Sequence, residues 1–190
     1  MRVPYEAPPG RRVHVIGAHF TPGPDAGRFE FERWASLPKS RAKQPRTTPE
    51  QVAAAQGLRV EEVGPIDSAR VLAFVWRIAG RPADAPAGWQ RGRPLQVVLD
   101  NYSVPTSQTM KDARPALEAA GVQLVQLPSY SPEVSRIEPD GHDVKQHGLP
   151  VRRFARVADL KHAVDAALTR KAEQLRQATT KTTNLAQSAT

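Results

Sequence analysis

Residues 95–139 read LQVVLDNYSVPTSQTMKDARPALEAAGVQLVQLPSYSPEVSRIEP. Residues 95–99 (LQVVL) are a short, mostly apolar run, the pattern of a strand buried inside a sheet. Residues 106–120 have helical composition, with Pro115 as a kink or boundary and Gly121 as the stop. Residues 122–127 (VQLVQL) alternate and predict the next strand. Strand, helix and strand in that order point to an α/β fold. Asp100 follows the first of these strands directly, at the end where α/β folds place functional groups. Asp100-Asn101 equally suits a turn or a helix cap. Further on, Tyr130-Ser131-Pro132 predicts a rigid turn, with Pro132 at the first helical position. The helix it opens would carry Val134, Ile137 and Glu138 towards the sheet. An exposed helical acid is the plain alternative for Glu138.

The flanks extend the same alternation of elements. Residues 1–10 hold three prolines and form an irregular lead-in. Residues 11–20 (RRVHVIGAHF) predict a strand around Val13, Val15 and Ile16, and residues 28–34 (RFEFERW) a second one. The turn chemistry of residues 21–27 (TPGPDAG) joins them as a hairpin. Residues 38–65 read as a basic surface insertion. Thr48-Pro49-Glu50 within it opens a short helix, as an N-cap, a first-turn proline and a first-turn acid. Lys39, Arg41, Lys43 and Arg46 in this segment are candidate phosphate contacts, and a solvated loop explains them equally well. Residues 66–80 place Val71, Leu72, Val75 and Ile78 on one helical face behind an Asp67/Ser68 cap, ending at Gly80. A long helix starts near Val157, with Leu160, Val164, Ala167, Leu168 and Leu175 on its apolar side. Residues 1–177 are thus expected to be one α/β domain, and the Thr/Ser/Gln/Asn-rich residues 178–190 a disordered tail.

Composition narrows the function classes. The 190 residues include 27 Lys+Arg against 19 Asp+Glu, a formal +8 with a pI near 10.3. That surplus favours a polyanionic partner, of which nucleic acid is the commonest; arginine-rich composition alone also produces it. Cysteine is absent, which removes disulfides, thiolate metal sites and cysteine nucleophiles. No apolar run is long enough to span a bilayer, and no charged-then-apolar leader opens the chain, so a soluble, cytoplasmic protein without a membrane partner is expected.

Asp100 and Glu138, with 37 residues between them, stand within two motifs that carry a resemblance. Leu99-Asp100-Asn101, followed by Leu127, Pro128, Tyr130, Ser131, Pro132, Glu133, Ile137 and Glu138, resembles the second half of the DDE catalytic core in the bacterial insertion-sequence branch of the mariner transposase superfamily. The family pattern is a strand ending in Leu-Asp-Asn, then Leu-Pro-x-Tyr-Ser-Pro-Glu-Leu-Asn-x-Ile-Glu. The similarity runs from about Arg11 to the end of the 157–176 helix. It implies an RNase H-like fold, a mixed sheet flanked by helices, in which three carboxylates hold two Mg²⁺ or Mn²⁺ ions. Hard divalent cations take oxygen ligands, and phosphodiester attack needs both the nucleophilic and the departing oxygen neutralised. The resemblance makes Asp100 and Glu138 catalytic residues and metal ligands. Lys145, two turns beyond Glu138, becomes a candidate DNA contact, with a solvated lysine as the default. The implied partners are transposon ends and target DNA, with a homodimer open as the assembly.

Departures from the family pattern shape the expectation further. The family's first aspartate lies on a central first strand upstream of the Arg-Arg-Val strand. Here only ten residues stand there, with Glu6 as their sole acid, in a proline-rich context unsuited to that role. The expectation is therefore an N-terminally truncated transposase, lacking its first central strand and impaired in catalysis. Pro105 stands where the family usually has His, Ser135 replaces the commoner Asn, and Asp140-Gly141 stand where an aromatic is usual. Three other readings compete. One is a non-catalytic remnant that binds DNA or a full-length transposase. A second is an unrelated α/β enzyme using Asp100 with one of His14, His19, His142, His147 and His162, although none has a metal-ligand spacing. A third is a gene fragment without function.

Overall fold

The computed structural model of the chain describes residues 12–21, 23–38, 47–99, 107–127, 137–149 and 154–188, with side chains as far as 181. The chain forms two compact units: residues 66–138, and residues 1–65 together with 139–190.

The 66–138 unit is a βαβ arrangement with one further helix. Strand β3 (Leu95–Leu99) pairs in parallel with β4 (Val122–Gln126), from Leu95↔Val122 to Leu99↔Gln126. Helix α3 (Gln108–Ala119) makes the crossover and α2 (Ser68–Ile78) packs beside it. The predicted cap of α2 is present, with Asp67 Oδ1 accepting from the Arg70 amide at 2.8 Å. Val75 and Ala79 from α2, Met110 and Leu117 from α3, and Val122 and Leu124 from β4 form the core, and Leu95, Val97 and Leu99 pack against it. Two expectations change here. Pro115 does not end α3, which runs through it from Gln108 to Ala119. Its missing N–H removes one intrahelical bond, while Met110 and Leu117 anchor the helix on either side. Strand β3 is not buried on both faces: Val98 is 57% exposed and its cross-strand partner Val125 37%. Only the face towards α2 and α3 is covered, so side-chain alternation sends Gln96 and Val98 outwards.

In the other unit, β1 (Val13–His19) and β2 (Phe29–Ala35) form the predicted antiparallel hairpin, in register from Val13↔Ala35 to His19↔Phe29. Trp34 is fully buried, and its indole N–H donates to the carbonyls of Gly64 (3.1 Å) and Pro65 (3.0 Å). Helix α1 (Pro49–Gln56) starts in the capping box of Thr48 and Gln51. The 38–65 segment is not all surface, as the sequence suggested. Val52, Ala53 and Val63 join Ala35 and Val157 in a core cluster, which an apolar side of α1 makes possible. A short 3₁₀ turn, Val60–Glu62, presents Glu62 to the buried Lys161. Helix α4 (Ile137–Asp143) runs into a π-helical turn, Val144–Gly148. Helix α5 covers Val157–Ser188 and buries Leu160, Val164, Ala167 and Leu168, as its periodicity predicts. It continues through residues 178–188, the start of the segment expected to be a tail.

Among the described residues, five α-helices with one antiparallel and one parallel strand pair give a mixed α/β architecture of the RNase H-like kind. Among the described residues the strands form two two-stranded sheets.

Candidate functional site

Strands β3 and β4 point the same way and end side by side. Leu99 pairs with Gln126, and the Leu127 amide donates to the Leu99 carbonyl at 2.9 Å. The carboxyl edge of a parallel pair is where α/β folds gather functional groups, because the strand ends there open into loops free to take any side chain. Asp100 is the next residue after Leu99. It lies outside the described residues, as do residues 128–136, which connect β4 to α4.

Glu138 is the second residue of α4 and is exposed. It does not pack on the sheet as its sequence context suggested, because the face of α4 that turns inwards carries Asp140, only 7% exposed, two residues later. Two residues are about 200° round a helix, so Asp140 and Glu138 lie on opposite faces. Exposure leaves the Glu138 carboxylate available to a ligand. His142 is exposed one turn on, and Lys145 is exposed in the π-helical turn, two turns from Glu138. π-Helical turns insert an extra residue into a helix and recur at functional sites. This one sits close against α5: a side chain at Gly148 would meet the Ala167 Cβ at 3.0 Å, and Arg170 donates to the Gly148 carbonyl at 2.8 Å.

The inward face of α4 holds a polar cluster that the sequence did not announce. Lys171 Nζ on α5 lies 3.0 Å from Asp140 Oδ1 and 2.9 Å from Asp143 Oδ2. His19 Nδ1, at the end of β1, stands 2.9 Å from Asp140 Oδ2, off hydrogen-bond alignment. Burial pushes the Lys171 ammonium down, and the Asp143 and Asp140 carboxylates outweigh it, so its pKa is raised. The Lys171 hydrogen bond holds the Asp143 carboxyl below its usual range. The available signal was the departure at Asp140-Gly141, together with the three-residue spacing that puts Asp140 and Asp143 on one face.

Lys39, Arg41, Lys43 and Arg46 lie outside the described residues. The histidines are dispersed: His14 lies against Trp34 with the rings tilted at 45° and their centroids 5.8 Å apart, His19 meets Asp140, and His142, His147 and His162 are exposed. Among the described residues no three His, Cys, Asp or Glu side chains are grouped to hold a metal ion. The oxygen donors Asp100 and Glu138 are of the type a hard divalent cation takes. Of these two, only Glu138 is among the described residues.

The model of the family described as DDE superfamily endonuclease matches residues 52–161, more than half of the chain. The match includes β3, β4, Asp100 and Glu138. Comparison with curated proteins finds no match.

Proposed function

Since the chain belongs to the DDE superfamily endonuclease family, we propose that it is a transposase of the bacterial insertion-sequence branch of the mariner-type superfamily, with impaired catalysis. Its chemistry would be metal-dependent phosphodiester cleavage and strand transfer on transposon ends and target DNA, in the cytoplasm, with a homodimer as the assembly. The single observation that carries this reading is the shared end of β3 and β4. The residues that follow each strand there, Asp100 directly and the Leu127–Ile137 connection to Glu138, are those that match the family motif.

In this reading the Asp100 and Glu138 carboxylates would hold Mg²⁺ or Mn²⁺. When bound, such ions lower the pKa of an attacking water or 3′-hydroxyl and neutralise the departing oxygen. The protein's part is to present two anionic oxygen donors and to bring phosphate close. Lys145, exposed on nearly the same side of the helix as Glu138, is suited to a phosphate contact. Lys39, Arg41, Lys43 and Arg46 add four cations for the same purpose. Two carboxylates alone would bind a hard ion more weakly than the family's three, because affinity depends on ligand charge, and the proposed impairment rests on that dependence.

Incubation of a supercoiled plasmid with the purified chain in Mn²⁺ tests the proposal. Slow nicking that Asp100→Asn and Glu138→Gln both abolish is expected. Nicking that survives both substitutions would sink it. The formal +8 supports a second reading, a DNA-binding remnant without chemistry. Salt-sensitive plasmid binding with no nicking at any chain concentration would favour that remnant.

A further inference from the structure

Helix α4 spans seven residues, too few to hold its own conformation or orientation in water. Something outside it must decide which face carries Glu138. Its inward face offers two carboxylates, Asp140 and Asp143, and both meet one ammonium, Lys171, at 3.0 and 2.9 Å. Lys171 is itself only 15% exposed at its side chain, and Asp140 10%. A buried carboxylate whose partner is removed is strongly destabilised, so any rotation of α4 that leaves Lys171 behind is disfavoured. A roll of a third of a turn would break both ion pairs and strand Asp140 without its cation. His19 cannot replace Lys171, since its Nδ1 is off hydrogen-bond alignment with Asp140. Arg170, the preceding residue of α5, grips the π-helical turn at the Gly148 carbonyl, so the same stretch of α5 holds both α4, at Asp140 and Asp143, and the π-helical turn that follows it.

We infer that Lys171 is a positioning residue: by clamping Asp140 and Asp143 on the inward face of α4, it fixes the opposite face, with Glu138, to the outside. This role rests on the reading of Glu138 as a site carboxylate, while the clamp itself needs neither metal nor DNA to be seen.

The chain has no cysteine, so spin labels can be directed to two chosen positions. His142, on the same face of α4 as Glu138 and one turn away, and Gln177 on α5 are both exposed. The test places labels at H142C and Q177C and measures the distance distribution between them by double electron–electron resonance. A narrow distribution is expected with Lys171 present, a broadened one in Lys171→Met, and a narrow one again in Lys171→Arg, which restores the cation. A distribution unchanged in Lys171→Met would overturn the inference, as would broadening that Lys171→Arg fails to reverse. Should Lys171→Met not fold by circular dichroism, Asp140→Asn with Asp143→Asn removes the same ion pairs at nearly constant shape and is read by the same criterion. Loss of metal binding or nicking in the parent chain would count against the nuclease reading alone and leave these distances unaffected.

Discussion

The Leu127 amide donates to the Leu99 carbonyl at 2.9 Å. This bond closes the parallel pair at its carboxyl end, one residue before Asp100. The two chain segments that match the family's catalytic motif therefore leave the sheet from adjacent points. One enters Asp100-Asn101 and the other the Pro128–Arg136 connection to α4.

Phosphate contact at Lys145 makes a salt-dependence prediction. Each phosphate contact releases counterions, so the slope of log K against log salt scales with the number of contacts. Lys145→Gln is expected to weaken binding to duplex DNA of any sequence and to lower that slope by about 1. Fluorescence anisotropy across a salt series measures it. An unchanged slope would mean that Lys145 is simply a solvated lysine.

Glu62 and Lys161 form an ion pair of 2.7 Å, with the Lys161 side chain 6% exposed. The hydrogen bond from Lys161, aided by the Arg59 backbone amide, lowers the Glu62 pKa to about 2 from its ordinary 4.5. A carboxyl whose folded pKa lies below its unfolded one adds stability above the unfolded pKa, and that stability disappears as pH falls towards the folded pKa. The Glu62 contribution should therefore be complete above pH 4.5 and fade between pH 4.5 and about 2. Glu62→Gln is expected to cost about 2 kcal/mol at neutral pH, between the values for exposed and fully buried pairs. Urea denaturation at pH 7 and at pH 3 checks it; a cost that does not shrink at pH 3 would contradict the assignment.

Gly27 has φ of +81°, and a Cβ there would sit 2.9 Å from the Leu175 carbonyl oxygen of α5 and closer still to the Thr179 side chain. Gly27→Ala should thus carry both backbone strain and a steric conflict with a helix backbone, for a loss of about 2 kcal/mol or more. For a chain of this size each kcal/mol lowers Tm by roughly 2–4 °C. Gly23, with a similar φ of +79° but open space around it, separates the two effects: Gly23→Ala should cost only the strain. Equal losses at the two positions would show that the turn does not pack on α5.

Much of the fold was legible because local signals agreed with tertiary packing. The Asp67 cap, the Thr48-Pro49-Glu50 start and the apolar stripe from Leu160 to Leu168 each specify an element without help from elsewhere. The misreadings came where neighbours decide. LQVVL reads as a doubly buried strand by hydropathy, yet covering elements pack on only one of its faces, so Val98 points outwards. The same limit applies to residues 38–65, whose polarity hid the few side chains, Val52, Ala53 and Val63, that the core takes up. At the candidate site, the motif resemblance singles out Asp100 and Glu138 as candidates, but nothing local reveals that α4 turns Asp140 rather than Glu138 inwards. That outcome depends on Lys171, 31 residues further along the chain.

If Asp100 and Glu138 share a divalent ion, isothermal calorimetry of Mn²⁺ should detect it. Weak binding by the folded chain is expected, abolished by Asp100→Asn and by Glu138→Gln without a change in the far-ultraviolet circular dichroism. Binding that persists in either variant, or no binding by the folded parent chain, would contradict a shared ion.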